Sequence, residues 1–178
     1  MHDTEFLNVG TRLHQERLVT SVFGNMSRRV EGGFEITPTG SFLDVPAISI
    51  FVSDEGVPEA GASSEYRVHL QVYRHTDAGA IVHAHPAYAV ALSLSRDTII
   101  PADSEGRMLL PKIPVVGGEP GTEALAENVG RALVSSPLVI ARGHGTFARA
   151  ERLVDAYILT AAAEHAARIL VISGASDF

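Results

Sequence analysis

The chain contains no cysteine, and with it disulfides and thiolate metal ligands are excluded and nothing points to export. Only one lysine occurs, Lys112, held between Pro111 and Ile113. Any Schiff-base mechanism would depend on that residue, in a context without another catalytic signature, so carbonyl chemistry here more naturally draws on a metal as electron sink. No uninterrupted apolar run reaches the ~18 residues expected of a membrane span. Met1–Glu5 lacks a basic segment leading into an apolar one, so no signal peptide is expected. A net charge of −7 argues against a general nucleic-acid surface. These absences predict a cytoplasmic protein without membrane or nucleic-acid partners.

What is present fits one globular unit. A length of 178 residues with 46% hydrophobic content suits a single domain, 1–178, with a sizeable core. Apolar positions at Phe6, Val9, Leu13 and Val22 predict a helix over 6–22, broken at Gly24-Asn25-Met26-Ser27. Short strands are predicted at 34–37 and 47–52. Ser64 suits the N-cap of a helix running to about His75. A strand at 80–85, a helix over 87–95 and a short strand near 99–101 follow. Residues 111–121 form a Pro/Gly-rich stretch. Thr122 is the predicted cap of a helix to Leu133, strands follow at 138–142 and 146–149, and one long helix covers 150–172. Strands alternating with helices indicate an α/β domain. Several connections are too short for parallel crossovers, which predicts a mixed, largely antiparallel sheet covered by helices.

The chemistry concentrates in Ile81-Val82-His83-Ala84-His85-Pro86. Side chains alternate along a strand, so His83 and His85 face the same way about 6.5–7 Å apart along the backbone. That offset allows two imidazoles to close on one divalent ion. It is equally compatible with two hydrogen-bonded histidines on a half-buried surface. A third histidine, His144, ends a second buried-strand pattern between Gly143 and Gly145, where glycines permit a loop to deliver a ligand. Three nitrogen ligands with an open fourth position are the pattern of a catalytic zinc site. His2, His14, His75 and His165 lie in less suggestive contexts.

Three further segments suit an anion. Gly24-Asn25-Met26-Ser27 offers backbone amides and a side-chain amide, and Thr37-Pro38-Thr39-Gly40 offers hydroxyls and a glycine. Ser63-Ser64-Glu65 offers hydroxyls beside the free N–H groups of a helix start. Each also has an ordinary structural role: Asn25 as a turn residue, Thr39 as a strand cap, Ser64 as an N-cap. Glu65 complements a helix dipole and is spaced to pair with His69 at i+4.

In this order, the G-N-x-S turn, the I-T-P-T-G segment at 36–40, Ser63-Ser64-Glu65 with His69, His83-x-His85 and Gly143-His144-Gly145 resemble the class II aldolase/adducin family from about Phe6 to Val171. The resemblance implies a three-layer α/β/α fold and a homotetramer with active sites between subunits. It implies Zn²⁺ (Mn²⁺, Co²⁺ or Fe²⁺ as alternatives) on His83, His85 and His144. Asn25, Thr39, Gly40, Ser63 and Ser64 would surround a substrate phosphate. Glu65 would be the catalytic acid/base and a fourth metal ligand in the absence of substrate. The implied reaction is reversible cleavage of a 1-phosphorylated ketose, of fuculose or ribulose type, to dihydroxyacetone phosphate and a short hydroxyaldehyde through a metal-stabilised enediolate. Family epimerases carry aspartate in place of Glu65. Metal-dependent decarboxylation, epimerisation or dehydration on the same scaffold is the alternative, with a non-catalytic adducin-like assembly role behind it. Two features depart from the family pattern. The tyrosines that handle the aldehyde half are absent from 101–106 and from the residues after Tyr157, and Val22 stands where many members have threonine.

Overall fold

The computed structural model describes residues 4–174. Its centre is an eight-stranded sheet in the order β3-β2-β1-β4-β8-β7-β6-β5. The strands are β1 (Asn25–Val30), β2 (Gly33–Ile36), β3 (Ile50–Ser53), β4 (Ala80–Ala84), β5 (Thr98–Ile99), β6 (Ile113–Val116), β7 (Leu138–Ala141) and β8 (Gly145–Ala150). Neighbours are antiparallel except β6 and β7, which run parallel. The mixed, largely antiparallel sheet expected from the short connections is therefore the observed one.

The helices are α1 (Thr4–Gln15), α2 (Tyr66–His75), α3 (Ala87–Ser93), α4 (Ser104–Leu109), α5 (Glu123–Ser135) and α6 (Leu153–Ser173). They make two outer layers because β4 is buried on both faces. Ala80, Val82 and Ala84 join the core beneath α1, α3 and α6, whereas Ile81 joins the one beneath α2 and α5. α6 has the length and apolar content of a membrane span. It packs here as the main helix of its layer, burying Leu153, Ala156, Tyr157, Thr160, Ala163, Ala166, Ala167 and Leu170 at helical spacing.

Several local expectations are corrected. The first helix ends at Gln15 rather than Val22. Arg17 takes a left-handed conformation (φ 57°). Its amide donates to His14 O at 3.0 Å and that of Leu18 to Leu13 O at 2.9 Å, the paired bonds of a Schellman stop. Asn25, Met26 and Ser27, expected only as part of a break, begin β1, which runs on to Val30. The Pro/Gly-rich stretch contains β6, and Asp103 starts α4 by accepting from the Gly106 amide at 2.8 Å. Thr122 caps α5 as expected, accepting from the Leu125 amide at 3.2 Å. At α2 the capping position belongs to Glu65, and it is Ser63 Oγ that accepts from the Glu65 amide at 3.4 Å.

Candidate active site

The sheet register assembles the site. Asn25, at the start of β1, lies opposite His83 on β4, which in turn lies opposite Phe147 on β8. His85 stands just past the end of β4, and His144 occupies the tight turn between β7 and β8. All three histidines therefore meet at one end of the central strands, with one nitrogen from each within 4.8 Å of the others.

His83 is fixed on both sides. Its Nδ1–H donates to the Thr146 carbonyl at 2.9 Å, which leaves Nε2 as the lone-pair nitrogen. That Nε2 is 3.0 Å from Nε2 of His85. Ligands at about 2.0–2.1 Å around a tetrahedral ion stand about 3.3 Å apart, so the spacing fits a shared cation. His144 Nδ1 is buried without a hydrogen-bond partner among the described residues. Burial, reinforced by the neighbouring imidazoles, holds His83 well below the usual histidine range. His85 is lowered to about 4 for the same reasons. Neutral imidazoles are the form that binds metal. The donor set thus fits a divalent cation, with neither thiolate nor a full carboxylate cage.

Glu65 projects from the start of α2, its Oε2 4.0 Å from His83 Nε2. That oxygen has no hydrogen-bond partner among the described residues, and burial raises the carboxyl pKa to about 7 against the opposing influence of the Gly121 amide. The expected Glu65–His69 pair is not formed. His69 is fully buried and its Nδ1 engages Ser27 Oγ at 2.6 Å, which also contacts Tyr73 OH at 2.7 Å. His69 Nε2 is buried without a hydrogen-bond partner among the described residues.

The anion-binding segments converge on the same cleft. Thr39 N–H donates to Gly61 O at 2.9 Å, and Pro38 bridges Ala62, so the Thr37–Gly40 loop is tied beside Ser63 and Ser64. Thr37 is spent internally, accepting from the Met26 amide at 3.1 Å. Gly40 adopts φ 67°, which a side chain would resist. The cleft is lined by Asn25, Thr39, Gly40, Ser63, Ser64, Glu65 and the three histidines, together with Val22, Phe23, Gly24 and Pro38. Every sequence-predicted site residue is therefore brought to one place. Asn25 Oδ1, Glu65 Oε2 and His144 Nδ1 are all buried around it and unpartnered among the described residues. An orphaned buried polar group costs about 1–3 kcal/mol, so three around one cleft point to a missing ligand.

Residues 4–171 match the class II aldolase and adducin N-terminal domain. The chain belongs to this family. It is accordingly an enzyme of the class II aldolase type, a family of lyases. An L-fuculose phosphate aldolase from Methanococcus maripaludis is 31% identical over 171 residues, covering 93% of this chain and 94% of that protein. A 5-methylthioribulose-1-phosphate/5-deoxyribulose-1-phosphate aldolase from Escherichia coli is 30% identical over 170 residues, covering 83% of this chain and 78% of the relative. Among solved structures, the L-fuculose-1-phosphate aldolase of Thermus thermophilus superposes with a TM-score of 0.91 at 37% identity, covering 98% of this chain and 96% of that one. The class II aldolase family is generally metal-dependent, in keeping with the three-histidine group.

Sequence reasoning missed Phe23 and Phe147. Phe147 lies flat against His83, and Phe23 stacks on His85 with ring centroids 5.8 Å apart. Their signal was faint: Phe147 reads as an ordinary strand residue, and Phe23 as part of the break before Gly24.

Proposed function

We propose that this protein is a metal-dependent aldolase of a 1-phosphorylated ketose, cleaving it reversibly to dihydroxyacetone phosphate and a short aldehyde. The observation that carries the reading is Glu65 Oε2, without a hydrogen-bond partner among the described residues and 4.0 Å from His83 Nε2, between three clustered imidazoles and a donor-rich loop pair. Asn25, Thr39, Gly40, Ser63 and Ser64 hold the phosphate with hydroxyl, amide and backbone donors. This anchors a non-reacting group and spends its binding energy on orienting the reacting carbons. His83, His85 and His144 would hold the cation, zinc being well suited to three imidazoles with Mn²⁺, Co²⁺ or Fe²⁺ as substitutes, and its Lewis acidity would stabilise the charge left on oxygen as C3–C4 breaks.

Glu65 manages the proton. In cleavage the C4 hydroxyl gives up its proton to solvent as the aldehyde carbonyl forms and Glu65 delivers a proton to C3 of the dihydroxyacetone phosphate half; in condensation both transfers reverse. A carboxyl with a pKa near neutrality suits both directions. The chain's likeness to relatives named for fuculose and deoxyribulose phosphates supports a phosphosugar substrate. The homotetrameric state is part of the same proposal. Exposed apolar residues such as Phe42, Ile48, Val57 and Met108 are compatible with subunit contacts, and sedimentation of the intact chain tests it.

The deciding experiment incubates zinc-loaded protein with dihydroxyacetone phosphate in D₂O and follows the C3 protons by NMR. Stereospecific loss of one proton, abolished by chelation and by Glu65→Gln, is the expected result. No exchange with metal and dihydroxyacetone phosphate both bound would refute the aldolase reading in favour of decarboxylation, epimerisation or dehydration.

A further inference from the structure

Helix α3 joins two of the three histidines without carrying either. Its first residue follows His85-Pro86, and its last, Ser93, touches the loop that bears His144. The start of α3 is fixed by Glu164 of α6, whose carboxylate accepts from the Tyr88 amide at 3.1 Å and the Ala89 amide at 2.9 Å. Its end is tied to the 142–144 loop twice. Ser93 Oγ accepts from the Gly143 amide at 2.9 Å while donating to Val90 O at 2.6 Å. Arg142 Nη1 donates to the Ser93 carbonyl at 2.6 Å, and its Nη2 donates to the Asp97 carboxylate.

The histidines are not held alike. His83 is fixed by strand pairing and by the Thr146 carbonyl. His144 lies in a three-residue loop between Ala141 and Gly145, which pair across the β7–β8 ladder, and its Nδ1 has no partner among the described residues. Its imidazole therefore takes its place from the loop backbone. There the His144 amide closes onto Ala141 O at 3.0 Å and the Arg142 amide donates to Val116 O at 2.9 Å. The Gly143 amide goes instead to Ser93. Gly143 is left-handed (φ 66°), and a Cβ on it would lie 3.2 Å from Leu94 Cδ2, so the loop rests directly on the end of α3. A serine that returns its proton to a carbonyl of the preceding turn is ordinary helix behaviour. The second bond, from a hydroxyl without exposed surface to the loop of a histidine, is not explained by the helix. It anchors that loop to the interior of its own subunit.

We propose that Ser93, acting with Arg142, is a positioning residue for His144: its hydroxyl fixes the 142–144 loop against α3 and so sets His144 beside His85 for a shared cation. This rests on the metal site of the proposed function and holds whichever reaction that site performs. Without the hydroxyl the Gly143 amide turns to water and the loop is released from α3. Groups that orient metal ligands from behind contribute about 10–100-fold to metal affinity.

The test compares metal-free wild type, Ser93→Ala, Arg142→Gln and Ser136→Ala by zinc competition with a chromophoric chelator, by Co²⁺ absorption and by urea unfolding. Ser136 is the control, a buried hydroxyl that donates to Leu138 O at 2.7 Å at the end of β7 away from His144. Ser93→Ala should weaken zinc binding about 10–100-fold and change the visible bands of the Co²⁺-saturated protein, because one imidazole leaves the ion. Arg142→Gln should act in the same direction, and it decides the matter if Ser93→Ala does not fold. Ser136→Ala should lower the urea midpoint as Ser93→Ala does, with zinc affinity and Co²⁺ bands unchanged. Unaltered zinc affinity in Ser93→Ala, or an equal loss in Ser136→Ala, overturns the assignment to Ser93 while the metal site stands. Failure of the wild type to bind zinc overturns both.

Discussion

The ring of Phe147 lies flat on the imidazole of His83, centroids 4.1 Å apart and planes inclined by 14°, and the two residues are also partners across the β4–β8 ladder. Both are fully buried or nearly so. With the Thr146 carbonyl fixing Nδ1, His83 holds its orientation through packing and backbone alone. His83 is therefore held by packing and a backbone carbonyl, with its Nε2 turned toward His85.

Chelation should accordingly leave the far-ultraviolet circular dichroism unchanged while lowering the thermal midpoint. Zinc at about 100 times its dissociation constant should stabilise the protein by about 2.7 kcal/mol through mass action. Thermal scans at several zinc concentrations check this. Loss of helical signal on chelation would show that the site is assembled by the ion.

Gly145 is where the cluster is least tolerant. A Cβ there would lie 2.3 Å from Ala84 O, 3.0 Å from His83 Cε1 and 3.2 Å from His85 Cδ2. Backbone cannot yield cheaply, so Gly145→Ala should destabilise the metal-free protein by about 1–3 kcal/mol. It should also weaken zinc binding at least about tenfold, because movement of β4 displaces both ligands. Gly32→Ala is the control. Gly32 has φ 76° and nothing near its Cβ position, so it should cost about 1–2 kcal/mol from conformation alone and leave zinc affinity intact. Urea titrations and competition with a chromophoric chelator separate the two effects.

The site was more legible than the elements that carry it. His83, His85, His144 and Glu65 stand out because their residue types and spacing imply chemistry wherever the chain places them. β1 escaped notice because Arg28 and Arg29 interrupt its alternation. In the structure Arg28 is 2.8 Å from Glu35, and Arg29 lies over the Tyr73 ring while donating to Ala78 O and Tyr73 O. β6 was obscured by Pro114, which sits opposite Thr98 of the short β5. The end of α1 was hidden because arginine, not glycine, adopts the left-handed stop, and the packing of Leu13 with Leu18 in one core supplies what the sequence signal lacked. The Glu65–His69 spacing suggested a pair that tertiary contacts reassigned to Ser27.

Glu65 should set the pH dependence of donor exchange. Burial raises its carboxyl to about 7, and a base works only when ionised, so exchange should rise as pH increases through this region. A cation beside the carboxylate favours the ionised form and moves the inflection below 7. Glu65→Gln should reduce exchange by about 10²–10⁴-fold and remove the inflection, with zinc binding retained within a few-fold. NMR exchange rates from pH 5 to 9 give both results. An unchanged inflection in any residual activity of Glu65→Gln would assign the base elsewhere.

His69 makes the metal-free protein acid-sensitive in a window that follows from its burial. Desolvation lowers it from 6.5 to about 3, and its Nδ1 is committed to Ser27. The native state therefore holds it neutral while the unfolded chain takes up a proton once pH falls below about 6.5. The unfolded state binds more protons throughout that interval, so the stability attributable to neutral His69 is fully present above pH 6.5. It declines by about 1.4 kcal/mol per pH unit as pH falls toward 3. His69→Asn preserves a hydrogen-bonding group near Ser27 and does not titrate. It should be less stable than wild type at pH 8 and lose stability less steeply between pH 6 and 4, the difference in slope approaching that same value. Urea unfolding of both proteins at half-unit pH steps measures the two slopes, and parallel curves would show that His69 becomes protonated in the native state.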